Sequence, residues 1–257
     1  MISINNFRGA YAKNITKYKD YYVTRVDRLF WITGRVCIYC HFFDADWFFT
    51  FSVSHFYEAG QADLRSHFEW YPWLFLFLVP SVAMRLWADE KRVGTIELIM
   101  TLPISLTEVI LGKFLAAWIF IGIAQFLTFP LVLSTMYLGN PDFGTIFCAY
   151  VGSFLMGGAY LSVGSMTSAI TRSQVVSFIL AVVACLFMVL SGWPPVTEAL
   201  IGWAPTWLVN LVASFSFMTH YQSIQRGVLD FRDIFYYLSF IFFMLYTNGI
   251  ILLTRKS

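Results

Sequence analysis

The densest group of charged side chains lies at positions 89–92, where Asp, Glu, Lys and Arg follow one another. The last three of these charges can form ion pairs with charges on another protein. Gly94 allows close approach of a second backbone, Thr95 can cap a helical turn, and Glu97 is expected to face water. The run is therefore compatible with a docking element, and it does not indicate a catalytic centre.

A second pattern with possible chemistry is Cys37-Ile-Tyr-Cys40-His41, which matches the C-x-x-C-H pattern of haem attachment. A short match inside an aromatic-rich stretch is weak, and chance is the better interpretation. A membrane enzyme with metal or redox ligands would have to use the four histidines, and none of them pair at helical i, i+3 or i+4 spacing. These histidines are His41, His55, His67 and His220. We therefore assign no catalytic residue and no metal site, and interpret His220 as an interfacial hydrogen-bonding group.

The composition places these residues in a membrane. Hydrophobic residues make up 58% of the 257-residue chain and charged residues 12%, about half the share of a typical soluble domain. The net charge of +2 leaves no basic surplus for binding nucleic acid. The four cysteines are too scattered for a disulfide framework, and the first residues lack the apolar region of a signal peptide.

Apolar stretches of about 20 residues predict an all-α polytopic fold of about six transmembrane helices. The predicted spans cover roughly 29–56, 70–88, 109–137, 145–169, 174–193 and 233–254. The first span is irregular because it contains Arg35, Asp44 and Asp46, and each buried charge costs about 2.5–3.5 kcal/mol near a helix centre. Either these charges face a protein interior, or the true span is shorter and shifted, or the stretch is atypical. An ion-coupled secondary transporter that uses the two aspartates is a further alternative.

The positively charged loops predict the orientation, since Lys and Arg concentrate on the cytoplasmic side of membrane proteins. Most of the 17 Lys and Arg residues fall on one side if both termini are cytoplasmic. We therefore interpret 1–257 as a single transmembrane domain with three extramembrane parts. These are a cytoplasmic N-terminal segment at 1–28, a cytoplasmic segment at 89–104 and an outer-face segment of short helices at 194–232.

The segment at 89–102 is predicted to be a short amphipathic helix between the second and third spans. Its apolar side chains at helical spacing are Val93, Ile96, Ile99 and Met100. Pro103 ends this helix, and Ser105 with Glu108 forms a capping box that opens the next span at Val109. The residues alone do not distinguish an interfacial linker helix from a helix that fits a groove on a partner.

This segment resembles the hallmark of type-2 ABC-transporter permeases, and it is most similar to the gliding-motility-associated and nitrous-oxide-reductase-maturation branches. The matching residues are Arg85, Glu90, Lys91, Arg92, Gly94, Thr95, Glu97, Leu98, Thr101 and Pro103, followed by Leu111-Gly-Lys113. The resemblance extends over residues 60–257. It implies that 89–104 contains the coupling helix that docks on an ATPase subunit. It also implies a second permease copy or a related permease subunit, and an exporter in a bacterial inner membrane.

The chain lacks the phosphate-binding loop that ATP hydrolysis requires. Its Gly112-Lys113 pair is followed by Phe114, and Thr107 stands where the first glycine of a Walker A motif belongs. We therefore expect no cofactor on this chain and place ATP and magnesium on the partner ATPase.

Small residues recur along the fourth span at a spacing that lets helices approach closely. The three pairs are Ser153 with Gly157, Gly158 with Ser162, and Gly164 with Ser168. Packing within one subunit is favoured over a dimer seam, and either arrangement predicts a helix buried among helices.

Overall fold

A computed structural model describes residues 33–53, 64–96, 105–139, 141–202 and 205–254. The structure is 85% helical, and no strand occurs in the described ranges, which confirms the all-α prediction. The described residues fall into two units that divide between Phe43 and Asp44. All contacts discussed below lie within the second unit.

Twelve α-helices and one π-helical turn, Phe49–Val53, have bounds within these ranges. In chain order the α-helices are α1 Thr33–Phe48, α2 Arg65–Glu69, α3 Tyr71–Ala83, α4 Ala88–Val93, α5 Leu106–Phe126, α6 Phe129–Leu138, α7 Phe143–Ile170, α8 Gln174–Leu190, α9 Pro194–Ile201, α10 Thr206–Ser214, α11 Phe217–Gln225 and α12 Phe231–Thr254.

Four helical stretches among the described residues are long and apolar enough to cross a membrane. They are Tyr71–Val93, Leu106–Leu138, Phe143–Ile170 and Phe231–Thr254, and the shorter apolar helix α8 lies between the last two. The four stretches correspond to predicted spans two, three, four and six, and α8 corresponds to predicted span five. The first predicted span is described only in part, by α1 and the π-helical turn. The protein is therefore a multi-pass membrane protein.

The third span differs from the prediction of one continuous helix, because it divides into α5 and α6 at Leu127 and Thr128. Pro130 has no backbone N–H to donate, and in a continuous helix its ring would clash with the carbonyl of residue 126. The Thr128 hydroxyl donates to the Gln125 carbonyl at 2.7 Å, and this bond stabilises the interrupted turn.

Helix α7 lies at the centre of the bundle and packs against α3, α5, α8, α11 and α12. Its small residues make this possible. A Cβ on Gly158 would lie 2.8 Å from Trp118 of α5, and one on Gly164 would overlap Ala83 of α3. All six residues of the predicted packing pairs are buried within the chain.

Side-chain caps define where several helices begin. The predicted capping box is present: Glu108 N–H donates to Ser105 Oγ at 3.4 Å, and Ser105 N–H donates to the Glu108 carboxylate at 3.1 Å. The helix begins at Leu106, three residues before the predicted start. At the start of α7, Asp142 accepts hydrogen bonds from the Thr145 hydroxyl and Gly144 N–H, and these bonds lower the pKa of the Asp142 carboxyl.

Three short helices, α9 to α11, connect α8 to α12, as the sequence predicted for 194–232. Trp193 is partly exposed and Trp207 is 65% exposed, which suits indole rings at a membrane interface. The helices thus give the bundle two ends. We call them the Gly94 end, where α4, the start of α5 and the end of α7 meet, and the His220 end, which carries α9 to α11.

Candidate coupling site

The turn that joins α3 to α4 is held against α7 by one serine. Ser168 Oγ accepts hydrogen bonds from the backbone N–H groups of Trp87 and Ala88, both at 3.0 Å. The same hydroxyl donates to the Met84 carbonyl at 2.9 Å. The side chain therefore satisfies backbone groups that the interruption between the two helices would otherwise leave without helical partners.

A buried ion pair joins this turn to α5. Glu90 of α4 pairs with Lys113 of α5, and their side chains are only 7% and 13% exposed. The Lys113 ammonium also donates to the Leu86 carbonyl at 2.9 Å and lies 3.7 Å from the ring centre of Trp87. These partners compensate the cost of burying the charge, because an ammonium has three protons to donate and is attracted to an indole face.

A second hydrogen-bonded group extends the connection to α12. Ser165 Oγ accepts from Trp87 Nε1 at 3.3 Å and from Asn248 Nδ2 at 2.7 Å. Asn248 is fully buried on α12, so its amide lies between helices and not toward lipid. The turn before α4 is therefore bonded to Ser165 of α7, and Ser165 is bonded in turn to α12.

Two further bonds anchor α4 itself. Lys91 donates to the Ala169 carbonyl at the end of α7, and Gln174 at the start of α8 donates to the Asp89 carboxylate. With these contacts, the few residues from 86 to 91 are bonded directly to the third, fourth and fifth predicted spans, and to the sixth through Ser165. We call residues 86–91, together with the side chains that they contact on these spans, the coupling base.

Gly94 ends α4 in the left-handed conformation, with φ of +77°, and its N–H donates to the Glu90 carbonyl. A Cβ at this position would have no atom of the described residues within 4 Å. Glycine is thus favoured here by its backbone angle, and the close approach of a partner's backbone stays a prediction. The predicted helix over 89–102 is also interrupted at Gly94, although residues 95 and 96 are again helical.

The remaining predicted coupling residues divide by exposure. Arg85, Arg92 and Gly94 are exposed, Lys91 and Thr95 are partly buried, and Glu90 is buried. The Glu90 carboxylate is thus directed to Lys113 within the chain, contrary to the expectation of a partner's charge. Four predicted coupling residues lie outside the described residues: Glu97, Leu98, Thr101 and Pro103.

The sequence did not predict a role for Trp87, Ser165 or Asn248. Lys113 was noted only as one of the residues that match the family pattern. A signal was present for two of them. Lys113 and Asn248 are isolated polar residues in apolar helices, and such residues normally face a protein interior and find partners there. Their partners could not be read from the sequence because they lie on other helices.

The other candidates for chemistry remain apart from this site. Among the residues that the structure describes, no three His, Cys, Asp or Glu side chains group as metal ligands. Cys40 is exposed, and His55 lies outside the described ranges, as do the side-chain environments of Cys37 and His41. His220 is hydrogen-bonded to the Asp233 carboxylate at 2.6 Å and the Ser214 carbonyl at 3.1 Å.

An all-helical bundle with a charged segment anchored between its second and third spans defines a polytopic membrane protein. The sequence model of one family, described as "ABC-2 family transporter protein", matches residues 19–252. The chain belongs to this family and is a membrane permease subunit of an ABC transporter, a transport subunit and not an enzyme. Comparison with curated protein sequences gave no match.

Proposed function

We propose that the chain couples ATP hydrolysis by a separate ATPase subunit to the export of a substrate across a bacterial inner membrane. The observation that carries the proposal is the coupling base. A force applied to the chain at Gly94 acts directly on residues that are bonded to three of the predicted spans and, through Ser165, to a fourth. Movement of the segment that follows Gly94 would therefore displace the bundle and not only one helix.

The surface offered to the ATPase begins at Arg92. Arg92 is exposed and Val93 is 69% exposed, and both precede the left-handed turn at Gly94. A cation beside an apolar side chain suits a shallow groove with an acidic edge. The segment continues into 97–104, where the resemblance assigns Glu97, Leu98, Thr101 and Pro103 to the same docking element.

The cytoplasmic location of the Gly94 end follows from the distribution of Lys and Arg, which also puts both termini in the cytoplasm. In this arrangement α9 to α11 lie on the outer face. ATP and magnesium bind the partner, since this chain has no Walker A motif.

A second permease completes the transporter, because about six spans are too few to enclose a translocation path. The substrate would move along the seam between the two permeases, beneath the outer short helices. The gliding-motility-associated and nitrous-oxide-reductase-maturation branches are the subfamilies that the sequence resembles most.

Co-purification with the partner ATPase subunit tests the docking role. We expect the double variant Arg92→Glu/Val93→Asp to lose most of the bound ATPase. The matched control is Arg172→Glu, because Arg172 is exposed just after α7 at the same end of the bundle but lies off the coupling segment. Equal recovery of the ATPase with the wild type, the double variant and Arg172→Glu would contradict the proposed docking surface.

A further inference from the structure

Two ionisable side chains that the coupling mechanism does not use are buried at the His220 end. Asp46 near the end of α1 and His67 of α2 are each about 1% exposed. Asp46 Oδ1 lies 3.4 Å from His67 Nδ1. Buried ionisable residues in a membrane protein are costly, and they commonly mark a proton, ion or substrate site.

The π-helical turn positions a third side chain between them. Thr50 Oγ1 lies 2.7 Å from the Asp46 carbonyl and 2.7 Å from His67 Nδ1. A hydroxyl has one proton, and the carbonyl can only accept, so Thr50 donates to the Asp46 carbonyl and accepts from His67. The proton of a neutral His67 ring is therefore on Nδ1.

The other ring nitrogen indicates the charge of the histidine. His67 Nε2 is buried and has no hydrogen-bond partner among the described residues. An imidazolium would leave an N–H donor without an acceptor there, which costs more than an unpaired lone pair on a neutral ring. Burial also lowers the pKa of His67 to about 3. Both observations favour a neutral ring.

No cation among the described contacts compensates a charge on Asp46. The groups that face it from other helices are neutral phenols: Tyr71 of α3, Tyr150 of α7 and Tyr221 of α11. With His67 also neutral, an Asp46 carboxylate would be a single buried negative charge.

We propose that Asp46 and His67 form a buried proton-binding site, in which the Asp46 carboxyl carries the proton and His67 remains neutral. Release of the proton to water leaves a carboxylate in apolar surroundings and weakens the packing of the π-helical turn against α2. The site is independent of the ATPase contact, and it makes the His220 end sensitive to pH. It explains why an aspartate is tolerated in the irregular first span.

Infrared spectroscopy of the full-length chain in lipid nanodiscs tests the site, because a protonated carboxylic acid has its own C=O stretch. We expect this band at neutral pH in the wild type, its absence in Asp46→Asn, and its loss from the wild type as the pH is raised. Asp44→Asn is the matched control, since Asp44 is exposed two residues away, and it should retain the band. A carboxylate at Asp46 at neutral pH would overturn the proposal.

A second measurement is independent of the aspartate variant. Nitrogen NMR of labelled histidine, assigned with His67→Gln, should show a neutral His67 with its proton on Nδ1. An imidazolium at neutral pH would contradict the proposal. Failure of Asp46→Asn to fold would also contradict it, because an amide replaces a neutral acid of the same size.

Discussion

The buried acid–base pair at the Gly94 end and the His220–Asp233 pair at the other end differ in kind. At the Gly94 end, Glu90 pairs with the ammonium of Lys113, which has three protons to donate. At the His220 end, Asp233 pairs with the imidazole ring of His220, whose other nitrogen is bonded to the Ser214 carbonyl.

The surroundings of the pairs differ as well. Lys113 is bonded to the backbone of the α3–α4 turn and covers the Trp87 ring, so the ion pair is part of a network that spans several helices. His220 stacks on Tyr236 at 3.9 Å. Among the described residues its contacts join the end of α10 and the start of α12 to its own helix, α11. The first arrangement suits a permanent mechanical connection, and the second suits a local contact that can separate.

The largest effect should follow from removing the ammonium at the Gly94 end. Lys113→Met leaves the Glu90 carboxylate buried without its partner, and we expect the free energy of unfolding to fall by about 3–5 kcal/mol. Coupled ATPase activity should be lost with it. Chemical denaturation in detergent and ATP hydrolysis by the reconstituted complex measure the two effects.

The double variant Glu90→Gln/Lys113→Met separates stability from coupling. It removes both charges, so most of the stability should return while coupling stays impaired, because the bond from Lys113 to the Leu86 carbonyl is still missing. A Lys113→Met protein as stable as the wild type would show that the ion pair does not hold the coupling base.

Ser168→Ala should have the next largest effect. It leaves the buried N–H groups of Trp87 and Ala88 without an acceptor, at about 1–3 kcal/mol for each group. Ser162→Ala is the matched control, since Ser162 is buried on the same helix but bonds only to the Ala159 carbonyl of its own turn. Equal thermal stability of the two variants would exclude Ser168 as an anchor.

A comparable loss of stability is expected at the other end for His220→Gln, with a different functional result. The variant loses the bond between the ring and the buried Asp233, about 1.5–3 kcal/mol for a bond to a charged group. Coupled ATPase activity should be nearly unchanged at a temperature where the protein remains folded. A coupling defect as severe as that of Lys113→Met would remove the distinction between the two ends.

A smaller effect is expected at the end of α4. Gly94→Ala must hold a Cβ in the left-handed region, at a cost of about 1 kcal/mol, while no neighbouring atom is in the way. We expect reduced ATPase recovery on co-purification, and Gly94→Asn should recover more because asparagine tolerates this region better. Gly249→Ala is a control within α12, where the added Cβ makes ordinary contact with Ile110. Full ATPase recovery with Gly94→Ala would remove the need for the left-handed turn.

The smallest effect concerns the cap of α7 at Asp142. The lowered pKa of its carboxyl means that the ionised form is favoured in the folded state, so its contribution is present at neutral pH and lost as the pH falls through that pKa. Asp142→Asn should lower the melting temperature slightly at neutral pH. The difference from the wild type should disappear in acid, and a difference that grew there would contradict the assigned cause.

Local features were predictable from the sequence and distant contacts were not. The Ser105–Glu108 capping box depends on residues three positions apart, and it was predicted correctly. The burial of Glu90 depends on Lys113, a residue on another helix, so no local pattern around Glu90 indicated that its carboxylate is directed inward.

The interrupted elements show a second limit of sequence reasoning. A glycine in a charged run is compatible with close packing or with a left-handed turn, and only the backbone angle at Gly94 distinguishes them. The break at Thr128 was missed because the apolar run continues across it, although Pro130 was a visible signal.

Photocrosslinking from single positions tests the central claim most directly. A photoreactive residue at Val93, exposed at the end of α4, should capture the ATPase subunit in membranes. The same residue at Tyr137, which is 92% exposed near the end of α6, should not. Capture from position 93 alone is the result predicted by a coupling segment at the Gly94 end. Capture from position 137 with none from position 93 would contradict it.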